Sequence, residues 1–352
     1  MNMPSEKKSK VISLVTGGTT GLGSALIRRL LAEGDEVRAV LKNAPSKQSE
    51  WRSLPPGSIP YVVDITLKRK EDRDNLRAAA KGVDRVFHIG GASYNSKFSY
   101  DELIEINVIG TENLLQALVE ANPPDRKIHF LYASSVTVYG YRRKNEVINE
   151  STQPKPGSHY SESKVMAEHL IESFSEGHPN LRYTIFRMGT LYGPGYEEPY
   201  FFKAFRLIKE GKMRYIGKGD NHLTLLHVDD AADAFALVAG KPGITKNTTY
   251  NLTDGQPHTP RELFSFTAKA MGVKPPDKSV PGAVARLLSK TANITYDEYE
   301  FMASDRIVDI SKLNRETGFY PARNVEAEGL LMIQHFLAKE SEGKFAGKHK
   351  LR

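Results

Sequence analysis

Three side chains that can move a proton and hold an oxygen atom occur near one another in the sequence. Tyr160 and Lys164 lie in the segment YSESK, and Ser135 ends a strand-like run 25 residues before Tyr160. Tyr160 and Lys164 are spaced i and i+4, so on a helix they share one face, where the ammonium can lower the pKa of the phenol. The phenol could then exchange a proton with a carbonyl or alcohol oxygen that Ser135 holds. This combination predicts an active site for hydride chemistry, whereas the tyrosine–lysine pair alone would more often be an exposed helix face.

A glycine-rich segment predicts a phosphate-binding loop. The sequence TGGTTGLG at residues 16–23 follows a strand-like run and opens a helix-like one. Free N–H groups and the helix dipole favour an anion at a helix start, and glycines let a pyrophosphate approach the backbone. A tight structural turn is the alternative for an isolated glycine cluster, but the flanking strand and helix favour dinucleotide binding.

Two strand ends bear on which dinucleotide binds. The second strand ends at Lys42 with no carboxylate, and a cation there accommodates the 2′-phosphate of NADP, whereas an acidic residue binds the ribose of NAD. Lys42 therefore favours NADP(H), with NAD(H) as the alternative and an exposed strand-end charge as the structural explanation. Asp64, beside Ile65 at the end of the third strand, is placed to accept from the adenine amino group or to cap the next helix.

Strands and helices alternate through the first half of the chain. Strands are predicted at residues 10–15, 36–41, 59–64, 84–90, 127–134 and 181–187, and helices at 24–34, 71–80, 101–121 and around YSESK. This alternation predicts an α/β fold with a Rossmann-type, doubly wound parallel sheet covered on both faces. The ligand is then expected beyond the carboxyl ends of the strands, where the motifs above fall.

The pattern loosens after residue 188 and predicts a smaller, mostly helical substrate lobe. Helices are predicted at 199–210 and 229–240, short strands around Tyr215 and Leu225, a strand at 248–253, and a capped helix start at Thr259. We expect a dinucleotide-binding domain over 11–188 and 222–252, and the substrate lobe over 189–221 and 253–338. Residues 1–10 and 339–352 are expected to be basic, disordered tails.

Composition excludes several classes of function. The chain has 352 residues, 39% of them hydrophobic and 26% charged, and no cysteine, which rules out disulfides, thiolate metal sites and a cysteine nucleophile. No metal site is expected. The two tails carry five of the seven net positive charges, so a nucleic-acid partner is not expected. With no signal segment and no membrane-spanning run, we expect a cytoplasmic protein without a membrane partner.

Together these segments resemble the extended short-chain dehydrogenase/reductase family, which includes nucleotide-sugar epimerases, dehydratases, and 3β-hydroxysteroid or dihydroflavonol-type reductases. The resemblance covers roughly residues 11–335 and leans toward the reductases. Its motifs are TGGTTGLG, VFHIGGA at 86–92, NVIGTENLL with Asn107, SSVTVYG at 134–140, YSESK, RMGTLYGP at 187–194, HVDD at 227–230 and DISKLNRETGFYP.

The resemblance implies roles for individual residues. Ser135, Tyr160 and Lys164 would be catalytic, with Ser134 adjacent and Asn107 supporting Lys164 through water. The implied cofactor contacts are Gly17, Thr19, Thr20, Gly21, Leu22 and Gly23 on the pyrophosphate, Lys42, Asp64 and Ile65 near the adenosine, Gly90 and Gly91 along the channel, and Tyr160 and Lys164 at the nicotinamide end. Arg187 and His227 would be structural.

Two departures from the family pattern bear on function. Gly21 stands one position later than in most extended members, which affects the route of the loop. Thr190 and Leu223 replace the asparagine and arginine that face the substrate phosphates in nucleotide-sugar members. Each lost charge-assisted bond is worth about 1.5–3 kcal/mol, so a nucleotide-sugar substrate is disfavoured. Substitute cations are available at Lys203, Lys209, Lys212 and Arg306.

The sequence therefore predicts an NADP(H)-dependent oxidoreductase acting on a ketone or secondary alcohol of a small, mainly apolar molecule. Tyr196, Phe201, Phe202 and Phe205 could form an apolar wall, although aromatic residues at helical spacing are more often core. The alternatives are a nucleotide-sugar epimerase or dehydratase using bound NAD, and a non-catalytic NADP-binding scaffold or sensor. A homodimer through helices around 101–121 and 158–176 is what the resemblance implies.

Overall fold

The computed structural model describes residues 10–43, 53–94, 97–140, 146–196, 200–291 and 296–342, so most of both predicted tails lies outside the described residues. The strands are β1 Ile12–Thr16, β2 Glu36–Leu41, β3 Ile59–Val62, β4 Arg85–His88, β5 Ile128–Ser135, β6 Val147–Ile148, β7 Leu181–Met188, β8 Thr190–Tyr192, β9 Tyr215–Ile216, β10 Leu225–His227, β11 Thr248–Leu252, β12 Ser279–Val280 and β13 Ile307–Val308.

The helices alternate with these strands along the chain. They are α1 Gly21–Ala32, α2 Lys70–Ala80, α3 Tyr100–Ile104, α4 Gly110–Ala121, α5 His159–Gly177, α6 Tyr200–Lys209, α7 Val228–Ala239, α8 Pro242–Thr245, α9 Pro260–Ala270, α10 Gly282–Thr291, α11 Tyr296–Ala303, α12 Ser311–Thr317 and α13 Val325–Ser341. A π-helical turn, Glu105–Ile109, joins α3 to α4, and a 3-10 turn, Val136–Tyr139, follows β5.

Seven parallel strands form one sheet in the order β11-β7-β5-β4-β1-β2-β3. Successive strand residues face opposite sides, so Leu14 packs in the cluster that includes Leu76, Leu115 and Ile171, while Val15 packs in the cluster with residues of α1 and α7. Both faces are therefore covered, and the predicted doubly wound α/β fold is confirmed. The strand order reverses beside β1, between β4 and β2, which is where such sheets bind ligands.

A third apolar cluster lies among α6, α9 and α13, and it includes Phe202, Phe205, Met332 and Phe336. The predicted division into a dinucleotide-binding domain and a substrate lobe remains a prediction. Over the described part of the chain, no helix combines the length and the apolar character needed to cross a membrane.

The predicted helix over residues 101–121 is interrupted. Five residues around Asn107 form the π-helical turn, which is rare in regular helices and is often found at functional sites. The turn is a correction to the sequence prediction, because periodicity does not distinguish a single wide turn within a helix.

Candidate active site

The glycine-rich loop closes the carboxyl end of β1 and opens α1. Gly17 has a φ of +71°, a left-handed conformation that costs glycine little. Thr20 is the N-cap of α1: its hydroxyl oxygen accepts from the Gly23 N–H at 3.0 Å, and its hydroxyl group donates to the Gly17 carbonyl at 2.9 Å. These bonds fix the loop at the start of α1, where the binding of an anion stays a prediction.

The loop after β1 packs directly on the loop after β4. A Cβ atom on Gly17 would lie 2.9 Å from the Cα atom of Gly90, and one on Gly23 would lie 2.1 Å from the carbonyl oxygen of Gly17. The Gly90 N–H also donates to the Thr16 hydroxyl at 2.9 Å. At Gly17, Gly23 and Gly90, therefore, the absence of a side chain lets the backbone of the two loops pack closely together.

Tyr196 accounts for the unusual position of Gly21. A Cβ atom on Gly21 would lie 2.5 Å from the Tyr196 ring, and the Leu22 N–H donates to the Tyr196 hydroxyl at 3.4 Å. The ring needs the space that a side chain at residue 21 would take. Tyr196 therefore packs on the glycine loop through its ring and its hydroxyl group, so its contribution to the site is not purely apolar.

A cavity of about 440 Å³ connects the glycine loop with the residues predicted to be catalytic. This volume lies within the range of about 300–1,000 Å³ typical of ligand sites. The predicted site residues in its lining are Thr19, Thr20, Gly21, Leu22, Gly91, Ser135, Tyr160 and Lys164. The predicted residues outside that lining are Gly17, Gly23, Lys42, Asp64, Ile65, Gly90 and Asn107.

Ser135 and Tyr160 meet in this cavity. Ser135 is the last residue of β5, and Tyr160 lies in the first turn of α5. The Ser135 hydroxyl oxygen accepts from the N–H and the hydroxyl group of Thr137 at 3.2 and 2.9 Å, and a hydrogen bond joins it to Tyr160. Because a hydroxyl has two acceptor sites and one donor, Thr137 leaves the Ser135 O–H to donate toward the phenol or a bound oxygen.

Lys164 is buried against the end of β5. Its ammonium donates to the Ala133 carbonyl at 2.9 Å and to the Tyr132 hydroxyl at 3.2 Å. Burial lowers the pKa of Lys164 to about 8. These two bonds use two of its three N–H donors, and the third can serve a ligand in the cavity.

The pKa of the Tyr160 phenol is raised well above its usual value, mainly by burial and further by the Asp297 carboxylate, while the hydrogen bond with Ser135 acts in the opposite direction. The sequence-based expectation that Lys164 lowers this pKa is wrong in this structure, because the ammonium directs its hydrogen bonds to β5. A phenol with a raised pKa stays protonated at neutral pH, which suits it to donate a proton to a carbonyl oxygen.

Asn107 lies in the π-helical turn and is buried. Its side-chain oxygen accepts from the Ala92 N–H at 2.9 Å, and its amide group donates to the Ser163 hydroxyl at 2.9 Å. It therefore ties the loop after β4 to α5 at the residue before Lys164. Support of Lys164 through water, as the resemblance implied, stays a prediction.

The predicted adenosine contacts lie at the ends of β2 and β3. The Asp64 carboxylate accepts from the Thr66 N–H at 3.0 Å and lies 3.3 Å from the Lys42 ammonium, whose side chain is 66% exposed. Burial opposes ionisation of Asp64, but the bonds from Thr66 and the charge of Lys42 bring its pKa below the usual value. Ile65 packs on Gly110 at the start of α4.

Of the four cations that could replace missing phosphate ligands, only Arg306 lines the cavity. Lys203 is exposed, and Lys209 and Lys212 pair with glutamates on the surface. Arg306 is 5% exposed.

Sequence reasoning missed Asp297, which also lines the cavity. Its carboxylate accepts a hydrogen bond at 2.9 Å from the hydroxyl group of Ser158, the N-cap residue of α5. No motif marks Asp297, since only the fold brings α11 to the start of α5.

The aromatic run of α6 divides between cavity and core. Phe201 lines the cavity, whereas Phe202 and Phe205 pack against Phe336 of α13, with ring centres 5.3 and 5.8 Å apart. The alternative that helical spacing marks core residues therefore holds for Phe202 and Phe205, whereas Phe201 and Tyr196 line the active-site cavity.

The residues expected to be structural are engaged in the scaffold. Arg187 of β7 forms a buried ion pair with Glu168 of α5 at 2.7 Å, and Ser134 donates a hydrogen bond to the same carboxylate. His227 is the N-cap of α7, and its ring accepts from the Asp229 N–H at 3.2 Å.

The sequence matches a known family and known proteins. The family model described as "NAD dependent epimerase/dehydratase family" matches residues 13–253. A 2-alkyl-3-oxoalkanoate reductase from Stenotrophomonas maltophilia is 30% identical over 275 residues, which cover 76% of this chain and 78% of that protein. A 3 beta-hydroxysteroid dehydrogenase/Delta 5-->4-isomerase from Mycobacterium tuberculosis is 26% identical over 336 residues, 88% of this chain and 85% of that protein.

The fold also matches solved structures. A UDP-glucuronic acid 4-epimerase from Bacillus cereus, in complex with UDP-glucuronic acid and NAD, superposes with a TM-score of 0.73 over 94% of this chain and all of that one, at 19% identity. At this identity, the likeness concerns the fold alone.

Proposed function

Because the chain belongs to the NAD-dependent epimerase/dehydratase family, we propose that it transfers hydride between a nicotinamide cofactor and an organic substrate. The favoured reaction is reduction of a ketone, or oxidation of a secondary alcohol, on a small and mainly apolar molecule. The favoured cofactor is NADP(H). The observation that carries this proposal is that one cavity is lined both by residues of the glycine loop and by Ser135, Tyr160 and Lys164.

The chain's own residues fit a dinucleotide. The loop residues Thr19, Thr20, Gly21 and Leu22 line the cavity at the start of α1, a position that suits a pyrophosphate, and the cavity leads from this loop to Tyr160. When bound, the nicotinamide ring would donate or accept the hydride. Lys164 would hold the ribose hydroxyls with its remaining N–H donor.

The protonation state of Tyr160 supports the reductive direction. Its phenol, protonated at neutral pH, would give its proton to the carbonyl oxygen as hydride reaches the carbonyl carbon. The Ser135 O–H would donate to the same oxygen and stabilise its developing negative charge. Each role needs one donor, and because Ser135 accepts both bonds from Thr137, its O–H is left to donate into the cavity.

The walls of the cavity support an apolar substrate. Aromatic and aliphatic side chains such as Leu191, Tyr200, Phe201 and Phe301 form much of the part that comes from β8, α6 and α11. Thr190 lines this part where nucleotide-sugar members carry a phosphate ligand. The relatives above whose names state a reaction on an oxo acid or a steroid fit the same substrate class.

The test of this proposal combines mass identification of the copurifying nucleotide with cofactor oxidation assays. The purified protein is supplied with NADPH or NADH and with ketones, steroids and sugar nucleotides. We expect ketone-dependent oxidation of NADPH that exceeds that of NADH. Turnover of a sugar nucleotide with no net change in cofactor would overturn the proposal in favour of an epimerase.

One observation favours the epimerase alternative. Arg306 is buried and lines the cavity, so its guanidinium could bind a substrate phosphate. Replacing Arg306 by methionine separates the two functions. Under the reductase proposal the variant still reduces an uncharged ketone, whereas an epimerase would lose affinity for its sugar nucleotide.

Lys42 is expected to set the cofactor preference. In the Lys42→Ala variant the Kd for NADPH should rise about tenfold, the lower end expected for one charge-assisted bond, because the side chain is largely exposed and screened. The Kd for NADH should change less than about twofold. Quenching titrations with both nucleotides measure this. The control is Lys274→Ala, which removes another exposed lysine that pairs with an aspartate, Asp277. Equal weakening of NADPH and NADH binding in Lys42→Ala would contradict the assignment.

Alanine substitutions at two glycines of the loop should weaken nucleotide binding by different amounts. In Gly23→Ala the new Cβ atom would collide with the Gly17 carbonyl, which belongs to the backbone, so the loop cannot keep its shape and affinity for the nucleotide should fall at least about 100-fold. In Gly21→Ala the collision is with the Tyr196 side chain, which can move, so the loss should be smaller. Nucleotide titration and thermal unfolding without nucleotide separate a binding defect from a folding defect. Equal losses in the two variants would argue against this account of the loop.

The subunit arrangement and the domain division remain proposals. Tyr100, Ile109 and Met166 are partly exposed apolar residues on or beside α3, α4 and α5, the helices expected at a dimer interface. Sedimentation analysis of a Met166→Lys variant tests this face, since a buried charge would dissociate the dimer.

A further inference from the structure

A second, smaller cavity adjoins the active-site cavity. Its volume is about 70 Å³, and it lies among the apolar side chains of α6, α9 and α13. Tyr200, Phe201 and Phe301 line both cavities and thus form a partition between them. We call the smaller cavity the side chamber.

The side chamber is apolar. Within the described chain, no charged side chain contributes to its lining, which includes Ala204, Phe205, Ile208, Leu263, Met332 and Ile333. A phosphate, sugar or carboxylate would lose its hydration there without gaining a partner. Hydrocarbon is therefore the chemistry that this space can accept.

The partition consists of side chains rather than backbone. The ring of Tyr200 meets those of Phe201 and Phe301 edge-on, with centres 5.7 and 5.2 Å apart. A change of side-chain rotamer would join the two spaces without moving α6 or α11. Because protein interiors are otherwise close-packed, an apolar space beside a reaction site is notable.

We propose that the side chamber receives the hydrocarbon tail of the substrate, so that the substrate class is a ketone or secondary alcohol with an unbranched alkyl chain. The carbonyl group would lie at Ser135 and Tyr160, and the chain would pass the partition into the side chamber. The volume suits about two methylene-sized groups beyond the partition. This inference rests on the proposed function and adds the substrate class to it.

The test compares 2-alkanones of increasing length in the wild-type protein and in variants that alter the side chamber. In the wild type, kcat/KM should rise about fourfold per added methylene while the chain fills the chamber, and then level off. Ala204→Leu fills the space and should abolish the gain for long chains while leaving the shortest ketone unchanged. Phe301→Ala removes part of the partition and should move the optimum to longer chains.

A second variant adds a smaller group to the side chamber, so that the test does not depend on correct folding of Ala204→Leu. Gly329 of α13 lines the side chamber, and a Cβ atom there would meet Phe266 at an ordinary 3.4 Å, so Gly329→Ala should fold and shorten the preferred chain. Gly243→Ala, with no atom within 4 Å of its new Cβ, is the matched control and should not change the preference.

The outcomes distinguish this inference from the proposed function. One outcome is that all three proteins, wild type, Ala204→Leu and Gly329→Ala, reduce ketones with the same dependence on chain length. This result would overturn the side chamber as a tail site and leave the proposed reaction intact. If no ketone turns over, calorimetric titration with 2-alkanols still decides, because affinity should rise with chain length only where the chamber is open. Length-independent binding would overturn the inference.

Discussion

Replacing Tyr160 by phenylalanine should lower kcat for ketone reduction by about 10²–10⁴-fold, the usual contribution of a general acid or base. The phenol lines the same cavity as Ser135, and its raised pKa keeps the proton in place at neutral pH. Phenylalanine keeps the ring and its packing, so only the hydroxyl group is lost. Steady-state oxidation of NADPH with a saturating ketone measures the effect.

The Tyr160→Phe variant should still bind NADPH, with a Kd within a few fold of the wild-type value, because the glycine loop and Lys164 are unchanged. The control variant Tyr320→Phe removes the phenol hydroxyl of a residue that is 67% exposed, and it should change neither kcat nor the Kd for NADPH. Wild-type turnover by Tyr160→Phe would remove Tyr160 from the reaction, whereas a proportional loss of NADPH binding would assign it a purely structural role.

The parts of the site that local sequence determines could be predicted. Gly17, Gly21 and Gly23 stand between an apolar run and a helical pattern, and at Gly17 and Gly23 the neighbouring backbone leaves no room for a side chain. Tyr160 and Lys164 follow from helical periodicity, and Ser135 from the end of a strand. Each of these inferences needs only neighbouring residues and the rule that parallel strands end at one edge.

The parts that depend on long-range packing could not be predicted. Asp297 reaches Ser158 across 139 residues of sequence, and Tyr196 reaches Leu22 across 174. The sequence also predicted the wrong direction for the shift of the Tyr160 pKa, for the same reason. Sequence spacing placed Lys164 near the phenol but did not show that Ala133 and Tyr132 hold its ammonium.

The scaffold beneath the residues predicted to be catalytic contains a buried ion pair. Glu168 lies one turn beyond Lys164 on α5, Arg187 lies on β7, and Ser134 lies beside Ser135 on β5. One network of buried polar groups therefore joins β7 to the two elements that carry Ser135, Tyr160 and Lys164. Replacing Glu168 by methionine should lower the free energy of unfolding by about 3–5 kcal/mol, because the Arg187 guanidinium remains charged in the core without a partner. Chemical denaturation of the protein without nucleotide measures this.

The double variant Glu168→Met/Arg187→Met decides whether the loss comes from the stranded charge. Two apolar side chains of similar volume leave no unpaired charge, so most of the lost stability should return. Glu120→Gln, which breaks the exposed pair with Arg77, should cost less than about 1 kcal/mol and is the surface control. If the double variant is as unstable as Glu168→Met, the ion pair itself contributes the stability. A cost near 1 kcal/mol in Glu168→Met would mean that water or local movement compensates Arg187, and that the pair does not fix β5, α5 and β7 together.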